Sequence, residues 1–177
     1  MNTEHTQTKG KPSYERPGIV RHQMGLMNKF GRMDTVRPLT HIDGVSIESL
    51  VAEYGSPLFV FSQRALVSRY RELRDAFTRR HPRVRIAWSY KTNYLEAVCR
   101  TFHREGAWAE VVSPFEFQKA VRSGVSPDHI HFNGPFKPDA AIAEAVAGEA
   151  ILHIDNFDEI ARIEKIAEQV GKKARVA

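Results

Sequence analysis

Lys91 is the residue whose type and position most directly suggest chemistry. It closes an alternating, β-favouring run at residues 84–91, which predicts a short strand, and it precedes the polar pair Thr92 and Asn93. An ammonium group loses hydration at the end of a buried strand unless it is paired, and a lysine that becomes neutral can attack a carbonyl to form a Schiff base. The alternative is an edge lysine whose ammonium reaches water, and position alone favours that alternative.

Strands and helices alternate along the chain, which predicts the scaffold around Lys91. Ser46 and Ser62 are predicted to cap two helices, with a strand at residues 58–61 between them. Helices join the further strands, which are predicted at residues 108–112, 130–133, 150–154 and 173–177. This order predicts a parallel sheet, either a barrel or an open doubly wound sheet. No Gly-x-Gly-x-x-Gly motif follows the first strand, which favours the barrel.

Polar residues lie where these strands end, at the edge where a barrel of this type places its active site. They are Lys91, Asn93, Glu110, Ser113, Asn133, Lys137, His153 and Asp155. Asn93, Ser113 and Asp155 could equally cap the helices that follow them. Glu110 differs, because a carboxylate at the end of a strand near a lysine is expected to pair with it.

Three stretches of the sequence together resemble one protein family. They are residues 58–61 after Ser56-Pro57, residues 87–93 around Lys91, and Ala109-Glu110-Val111-Val112-Ser113. From about residue 42 to its last residue, the chain resembles the fold-type III pyridoxal-phosphate-dependent decarboxylases, specifically the diaminopimelate/ornithine/arginine decarboxylase group. The resemblance implies an α/β fold, a (β/α)8 TIM-type barrel of the alanine racemase-like kind. Only about the first half of that barrel is expected in this chain.

The same resemblance implies a cofactor, pyridoxal 5'-phosphate, and the residues that hold it. The matching lysine of the family binds the cofactor covalently, so Lys91 is expected to be both a catalytic and a cofactor-binding residue. Asn93, Glu110 and Ser113 are expected to bind the cofactor too, although the family usually has aspartate at the position of Glu110. The implied reaction is decarboxylation of an amino acid, with meso-diaminopimelate giving lysine as the first choice, by a homodimer. A racemase, a non-catalytic pyridoxal-phosphate-binding barrel and an interaction module without cofactor are the alternatives.

Composition limits the domain organisation and the surroundings of the protein. The chain has 177 residues, a formal net charge of +5 and one cysteine, Cys99, which is expected in the core. Residues 1–40 are predicted to be a flexible N-terminal extension, and the basic excess of residues 1–37, a net of +4, is too scattered to predict nucleic-acid binding. Residues 41–177 are expected to form the N-terminal part of the barrel, truncated before a C-terminal β-domain. No long apolar run, secretory signal or metal-ligand spacing occurs, so a cytoplasmic protein without membrane or metal binding is predicted.

Overall fold

A short hairpin begins the part of the chain that the structure describes. The computed structural model describes residues 39–177, which contain one compact unit, His41–Ala177. The predicted flexible extension therefore lies almost entirely outside the described residues. The antiparallel hairpin turns at Asp43-Gly44, and its strands are β1 (His41–Ile42) and β2 (Val45–Ser46).

Serine side chains begin the two helices that follow the hairpin. Helix α1 (Ile47–Tyr54) has Ser46 as its N-cap, and helix α2 (Gln63–Thr78) has Ser62. The backbone N–H of Ala65 donates to Ser62 Oγ at 3.0 Å, which satisfies one of the amides that a helix leaves free at its first turn. Both predicted caps are confirmed.

The strand predicted at Leu58–Phe61 is absent, and this prediction was wrong. The segment has strand-favouring residues, but none of the described residues supplies a backbone partner for it. Its side chains are correspondingly exposed, and 87% of the surface of Phe59 is accessible. A strand exists only when a second strand accepts its hydrogen bonds, which residue propensity alone does not report.

Five parallel strands form the main sheet, and they lie side by side in the order in which they occur in the chain. The strands are β3 (Ala87–Ser89), β4 (Trp108–Val111), β5 (Ile130–Phe132), β6 (Ile151–Leu152) and β7 (Arg175–Val176). The connecting helices are α3 (Glu96–Arg104), α4 (Pro114–Arg122), α5 (Asp139–Ala147) and α6 (Phe157–Val170). A doubly wound sheet reverses its strand order at a switch point, whereas a barrel keeps consecutive order. The prediction of barrel topology is confirmed, although the strands are shorter than predicted.

The two faces of the sheet carry different side chains, because successive residues of a strand point in opposite directions. One face is apolar and packs against the helices, and its fully buried residues include Ala109, Val111, Ile130, Phe132 and Leu152. The opposite surface carries partly exposed polar residues. We call it the inner face and define it by Ser89, Glu110, His131, Asn133 and His153.

A buried hydrogen-bonded chain joins the end of β3 to helix α3. Tyr90 is fully buried, and its hydroxyl lies 2.9 Å from His103 Nε2. His103 Nδ1 lies 2.9 Å from the carbonyl oxygen of Ala107, which can only accept, so Nδ1 carries the proton and Nε2 accepts from Tyr90. Burial raises the pKa of Tyr90 and lowers the pKa of His103, so both side chains are held neutral.

Candidate active site

Lys91 lies two residues after the end of β3, just beyond the carboxyl edge of the sheet. Its neighbour Tyr90 is fully buried, and residues 90–92 form a turn in which the Thr92 amide donates to the carbonyl oxygen of Ser89 at 3.2 Å. The Lys91 side chain is exposed, and among the described residues its amine has neither a hydrogen bond nor an ion pair. The exposed position matches the alternative considered for Lys91, a lysine at the edge of the sheet whose ammonium reaches water.

Asn93 shapes the turn that follows Lys91. Its side-chain oxygen accepts a hydrogen bond from the Leu95 amide at 2.9 Å, and its carbonyl oxygen accepts one from Trp88 Nε1 at 2.9 Å. Leu95, rather than Asn93, is the N-cap of α3, so the capping role considered for Asn93 was wrong. In the structure Asn93 fixes the path of the chain between β3 and α3.

Glu110 is bound to two neighbouring strands rather than to the lysine. Ser89 Oγ of β3 donates to Glu110 Oε2 at 2.5 Å, and Asn133 Nδ2, directly after β5, donates to Glu110 Oε1 at 3.3 Å. No ion pair joins Glu110 to Lys91 among the described residues, so the expectation that the two would pair was wrong. The carboxylate therefore links three consecutive strands across the inner face.

Ser113 begins helix α4 directly after β4. Its hydroxyl accepts from the Glu116 amide at 3.3 Å, and Glu116 returns a hydrogen bond by accepting from the Val112 amide at 2.8 Å. This reciprocal arrangement is close to a capping box and uses the Ser113 side chain in the helix start. The capping role considered for Ser113 is thus confirmed, whereas α6 is capped by Asn156 and not by Asp155.

A buried ion pair lies at the same edge, beyond the ends of β5 and β6. Lys137 and Glu159 have exposed side-chain fractions of 0% and 1%, and Lys137 Nζ lies 3.0 Å from both carboxylate oxygens. Lys137 Nζ also donates to the carbonyl oxygen of Gly134 at 2.8 Å. The Asp155 amide donates to Glu159 Oε2 at 3.0 Å. The pair therefore ties the loop after β5 to the first turn of α6.

Gly134 lets the loop after β5 approach β4. Its φ is +104°, which favours glycine, and a Cβ at this position would lie 2.6 Å from the carbonyl oxygen of Val112. Neither Gly134 nor Glu159 was predicted from the sequence to belong to this edge. The Asn156-x-x-Glu159 spacing before an apolar run was the one signal in the sequence that could have indicated Glu159.

Two histidines form a second polar contact on the inner face. His131 Nδ1 lies 2.8 Å from His153 Nε2, so one ring donates and the other accepts. Burial, followed by the charge of His153 and of Arg175, lowers the pKa of His131, while Glu110 opposes this shift. His153 was noted as a strand-end residue, but its partner His131 was not predicted.

The structure thus places Lys91, Glu110 and Ser113 at or near the carboxyl edge of the sheet, and each has a different structural role. Lys91 is an unengaged amine among the described residues, Glu110 is a link between strands, and Ser113 begins a helix.

Within residues 39–177 no helix combines the length and the apolar character that a bilayer span requires. No cluster of three or more His, Cys, Asp or Glu with metal-binding geometry occurs in that range.

These features define a class of protein: a parallel α/β protein of barrel topology with an exposed lysine just beyond the carboxyl edge of its sheet. Residues 63–177 match the sequence profile of the family described as pyridoxal-dependent decarboxylase, pyridoxal binding domain, and the chain belongs to this family. The cofactor of the family is pyridoxal 5'-phosphate. The Lys91 amine fits the aldehyde end of that cofactor, because no described residue engages it in a hydrogen bond or an ion pair.

Individual relatives are diaminopimelate decarboxylases from bacteria and archaea. The chain is 31% identical over 137 residues to the enzyme of Aquifex aeolicus, covering 77% of this chain and 32% of that protein. It is 30% identical over 138 residues to the enzyme of Zymomonas mobilis, covering 77% and 33%. A crystal structure of the M. jannaschii diaminopimelate decarboxylase in complex with L-lysine matches with a TM-score of 0.70 and 29% identity, covering 77% and 33%. The chain therefore spans about a third of the length of these relatives.

Proposed function

We propose that this chain supplies the lysine-bearing part of a pyridoxal-phosphate-dependent amino-acid decarboxylase. The first-choice substrate is meso-diaminopimelate, which would be converted to lysine, and a related amino acid is the next choice. The observation that carries the proposal is the exposed and unengaged amine of Lys91 at the carboxyl edge of a barrel-type sheet. The similarity to diaminopimelate decarboxylases supports the choice of substrate.

The proposed role of Lys91 follows from the chemistry of its amine. Lys91 Nζ would hold the cofactor by its aldehyde carbon, and the bound cofactor supplies a sink for the negative charge left at the α-carbon when the carboxylate departs. After substrate binding releases it, Lys91 Nζ can move a proton to or from the α-carbon as a general acid or base. Its exposed side chain leaves it the freedom to do so.

Asn93, Glu110 and Ser113 are proposed to contribute to the cofactor site through the positions that they set. Asn93 holds the turn that follows Lys91 through its contacts with Trp88 and Leu95. Glu110 holds β3, which ends just before Lys91, against β4 and β5. Ser113 begins α4 at the same edge, and its hydroxyl accepts from the Glu116 amide there.

The remaining features of the protein are proposals that support this function. We propose a homodimer that binds an amino-acid substrate and neither nucleic acid nor membrane. A cytoplasmic location agrees with the single cysteine, Cys99, which is buried and free. We also retain the division into an N-terminal extension, residues 1–40, and a barrel part, residues 41–177.

Addition of pyridoxal 5'-phosphate to the full-length protein tests the proposal. We expect a new near-ultraviolet or visible absorbance band, which borohydride fixes as a covalent modification of Lys91 identifiable by peptide mass spectrometry. Lys91→Ala should lose both the band and the release of carbon dioxide from meso-diaminopimelate. Lys165→Ala is the matched control, because Lys165 is an exposed lysine on α6 that should not be modified selectively. Modification elsewhere, with Lys91 untouched, would refute the role of Lys91.

A further inference from the structure

Positive charge is concentrated along helix α2 and the loop that follows it. Residues 69–85 contain seven arginines against Glu72 and Asp75, a net of +5, which equals the formal net charge of the whole chain. Four of these arginines lie within residues 79–85, a loop that leads to the start of β3 at the amino edge of the main sheet. This edge is opposite to the one near Lys91. A surface with such an excess of one charge attracts anions and raises their local concentration.

A cavity opens at the amino edge beside this loop. Its volume is about 340 Å³, which falls within the range of small-molecule sites, about 300–1,000 Å³. The backbone around it is fixed, because the Trp108 amide at the start of β4 donates to the carbonyl oxygen of Ile86 at 2.9 Å. Its walls include Val84, Ile86, Trp108, Arg74, Arg85 and Glu105. The cavity therefore combines an apolar wall with two guanidinium groups and one carboxylate.

Aromatic rings hold both guanidinium groups in place. The guanidinium carbon of Arg85 lies 5.9 Å from the centre of the Trp108 ring, and that of Arg74 lies 6.0 Å from the centre of the Tyr70 ring. Trp108 itself stacks on His129, with the ring centres 4.5 Å apart. A guanidinium held over a ring keeps N–H donors at its rim and loses less conformational freedom when an anion binds.

The carboxylates beside these arginines are bound by guanidinium groups. Arg71 donates to both oxygens of Glu105, at 2.6 and 2.9 Å, and these hydrogen bonds lower the pKa of Glu105 below its ordinary value. Asp75 accepts from Arg74 Nε at 2.9 Å. Glu105 remains a negative charge on the cavity wall, so an anion that enters must gain enough from the arginines to offset it. This requirement favours an anion with two negative charges over one with a single charge.

Arg85 is the guanidinium best placed to receive such an anion. Its side chain is exposed, and its hydrogen bond to the carbonyl oxygen of Val84 is long, at 3.4 Å, so an anion can replace it. Guanidinium groups bind phosphate through paired N–H donors, and a phosphomonoester carries close to two negative charges at neutral pH. We propose that the cavity binds a small phosphomonoester, with its phosphate on Arg74 and Arg85 and its organic part on the apolar wall.

Isothermal titration calorimetry of the full-length protein with phenyl phosphate tests the proposal. The protein is first treated with one equivalent of pyridoxal 5'-phosphate and borohydride, so that Lys91 is occupied; a protein that takes up no cofactor is titrated untreated, so failure of the proposed function leaves this test intact. Salt at about 0.15 M limits the Debye length to about 8 Å and screens diffuse attraction to the arginines. We expect one molecule to bind per chain. Benzoate, which has the same ring and a single charge, should bind about ten-fold more weakly.

Arg85→Gln should weaken the binding of phenyl phosphate by about ten-fold or more, because it removes a charge-assisted hydrogen bond. Arg83→Gln is the matched control, because it removes the same charge from the same loop but lies outside the cavity walls. It should change the Kd by less than about two-fold, since salt screens a charge outside the site. Should Arg85→Gln lower the melting temperature, Arg85→Lys carries the test: it keeps the charge without the paired donors and should also weaken binding.

Three results would overturn the proposal. A titration without saturable binding at millimolar phenyl phosphate would show that the cavity is not a site for this class of ligand. Equal weakening in Arg83→Gln and Arg85→Gln would show that the charge of the loop, rather than the cavity, attracts the anion. Equal affinities for benzoate and phenyl phosphate would show that the cavity does not recognise phosphate.

Discussion

The buried pair of Lys137 and Glu159 should contribute more to stability than the exposed ion pairs of the described residues. Lys137→Met removes the ammonium and keeps a long apolar side chain of similar volume. The variant leaves the Glu159 carboxylate, 1% exposed, with the Asp155 amide as its remaining side-chain contact, and it leaves the Gly134 carbonyl without its Lys137 donor. Breaking a buried ion pair on one side costs about 3–5 kcal/mol, against about 0–1 kcal/mol for an exposed pair. We therefore expect the free energy of unfolding to fall by about 3–5 kcal/mol.

A double-mutant cycle distinguishes the lost interaction from the uncompensated charge. Glu159→Gln keeps an oxygen that can accept from the Asp155 amide but leaves the Lys137 ammonium unpaired. The double variant Lys137→Met with Glu159→Gln contains no buried charge, so it should be more stable than the sum of the single losses predicts. We expect a coupling of at least about 2 kcal/mol between the two positions.

Urea-induced equilibrium unfolding of the full-length protein measures these free energies, with circular dichroism and the fluorescence of Trp88 and Trp108 as the signals. Arg69→Met is the matched control, because Arg69 pairs with Glu72 on the exposed surface of α2. Its loss should be below about 1 kcal/mol. Losses that add to within about 0.5 kcal/mol would refute the reasoning, because independent sites behave in that way.

Two further predictions concern pH and backbone geometry. Burial lowers the pKa of His103 below that of an unfolded chain, so the unfolded state binds an extra proton as the pH falls through about 6.5. The free energy of unfolding should therefore decrease on going from pH 7.5 to pH 5.5. His103→Gln should reduce the slope of the unfolding free energy against pH by up to about 1.4 kcal/mol per pH unit. An unchanged slope in this variant would contradict the prediction. Gly134→Ala should destabilise the protein more than Gly124→Ala, because both have positive φ but only the Gly134 Cβ would meet a backbone atom, Val112 O, at 2.6 Å. Melting temperatures compare the two variants, and equal losses would show that the contact relaxes.

The sequence predicted those parts of the fold that depend on neighbouring residues. Ser46, Ser62 and Ser113 cap helices as expected, because a cap joins a side chain to an amide three residues away. The prediction of a strand at Leu58–Phe61 failed because a strand needs a hydrogen-bonding partner strand that is distant in the sequence. The cap of α6 was misplaced by one residue, since Asp155 and Asn156 are both good capping residues in adjacent positions.

In the candidate site, too, the features set by neighbouring residues were predicted and the contacts between distant residues were not. Strand periodicity placed Lys91 at the end of β3, but it could not choose the partner of Glu110. The partners chosen by the fold, Ser89 and Asn133, are 21 and 23 residues away in the sequence. Lys137 and Glu159 are 22 residues apart, and the parallel pairing of β5 with β6 brings the loop after β5 close to the start of α6.

The carboxylates at the carboxyl edge of the sheet are satisfied within the fold. Each of three carboxylates on the elements that follow β3 already has a partner of its own: Glu110 on the inner face, Glu116 at the start of α4, and Glu159 with Lys137. No buried side-chain nitrogen or oxygen among the described residues lacks a hydrogen bond. A carboxylate that is satisfied elsewhere gains little by approaching a lysine, since it would exchange existing hydrogen bonds for an exposed ion pair.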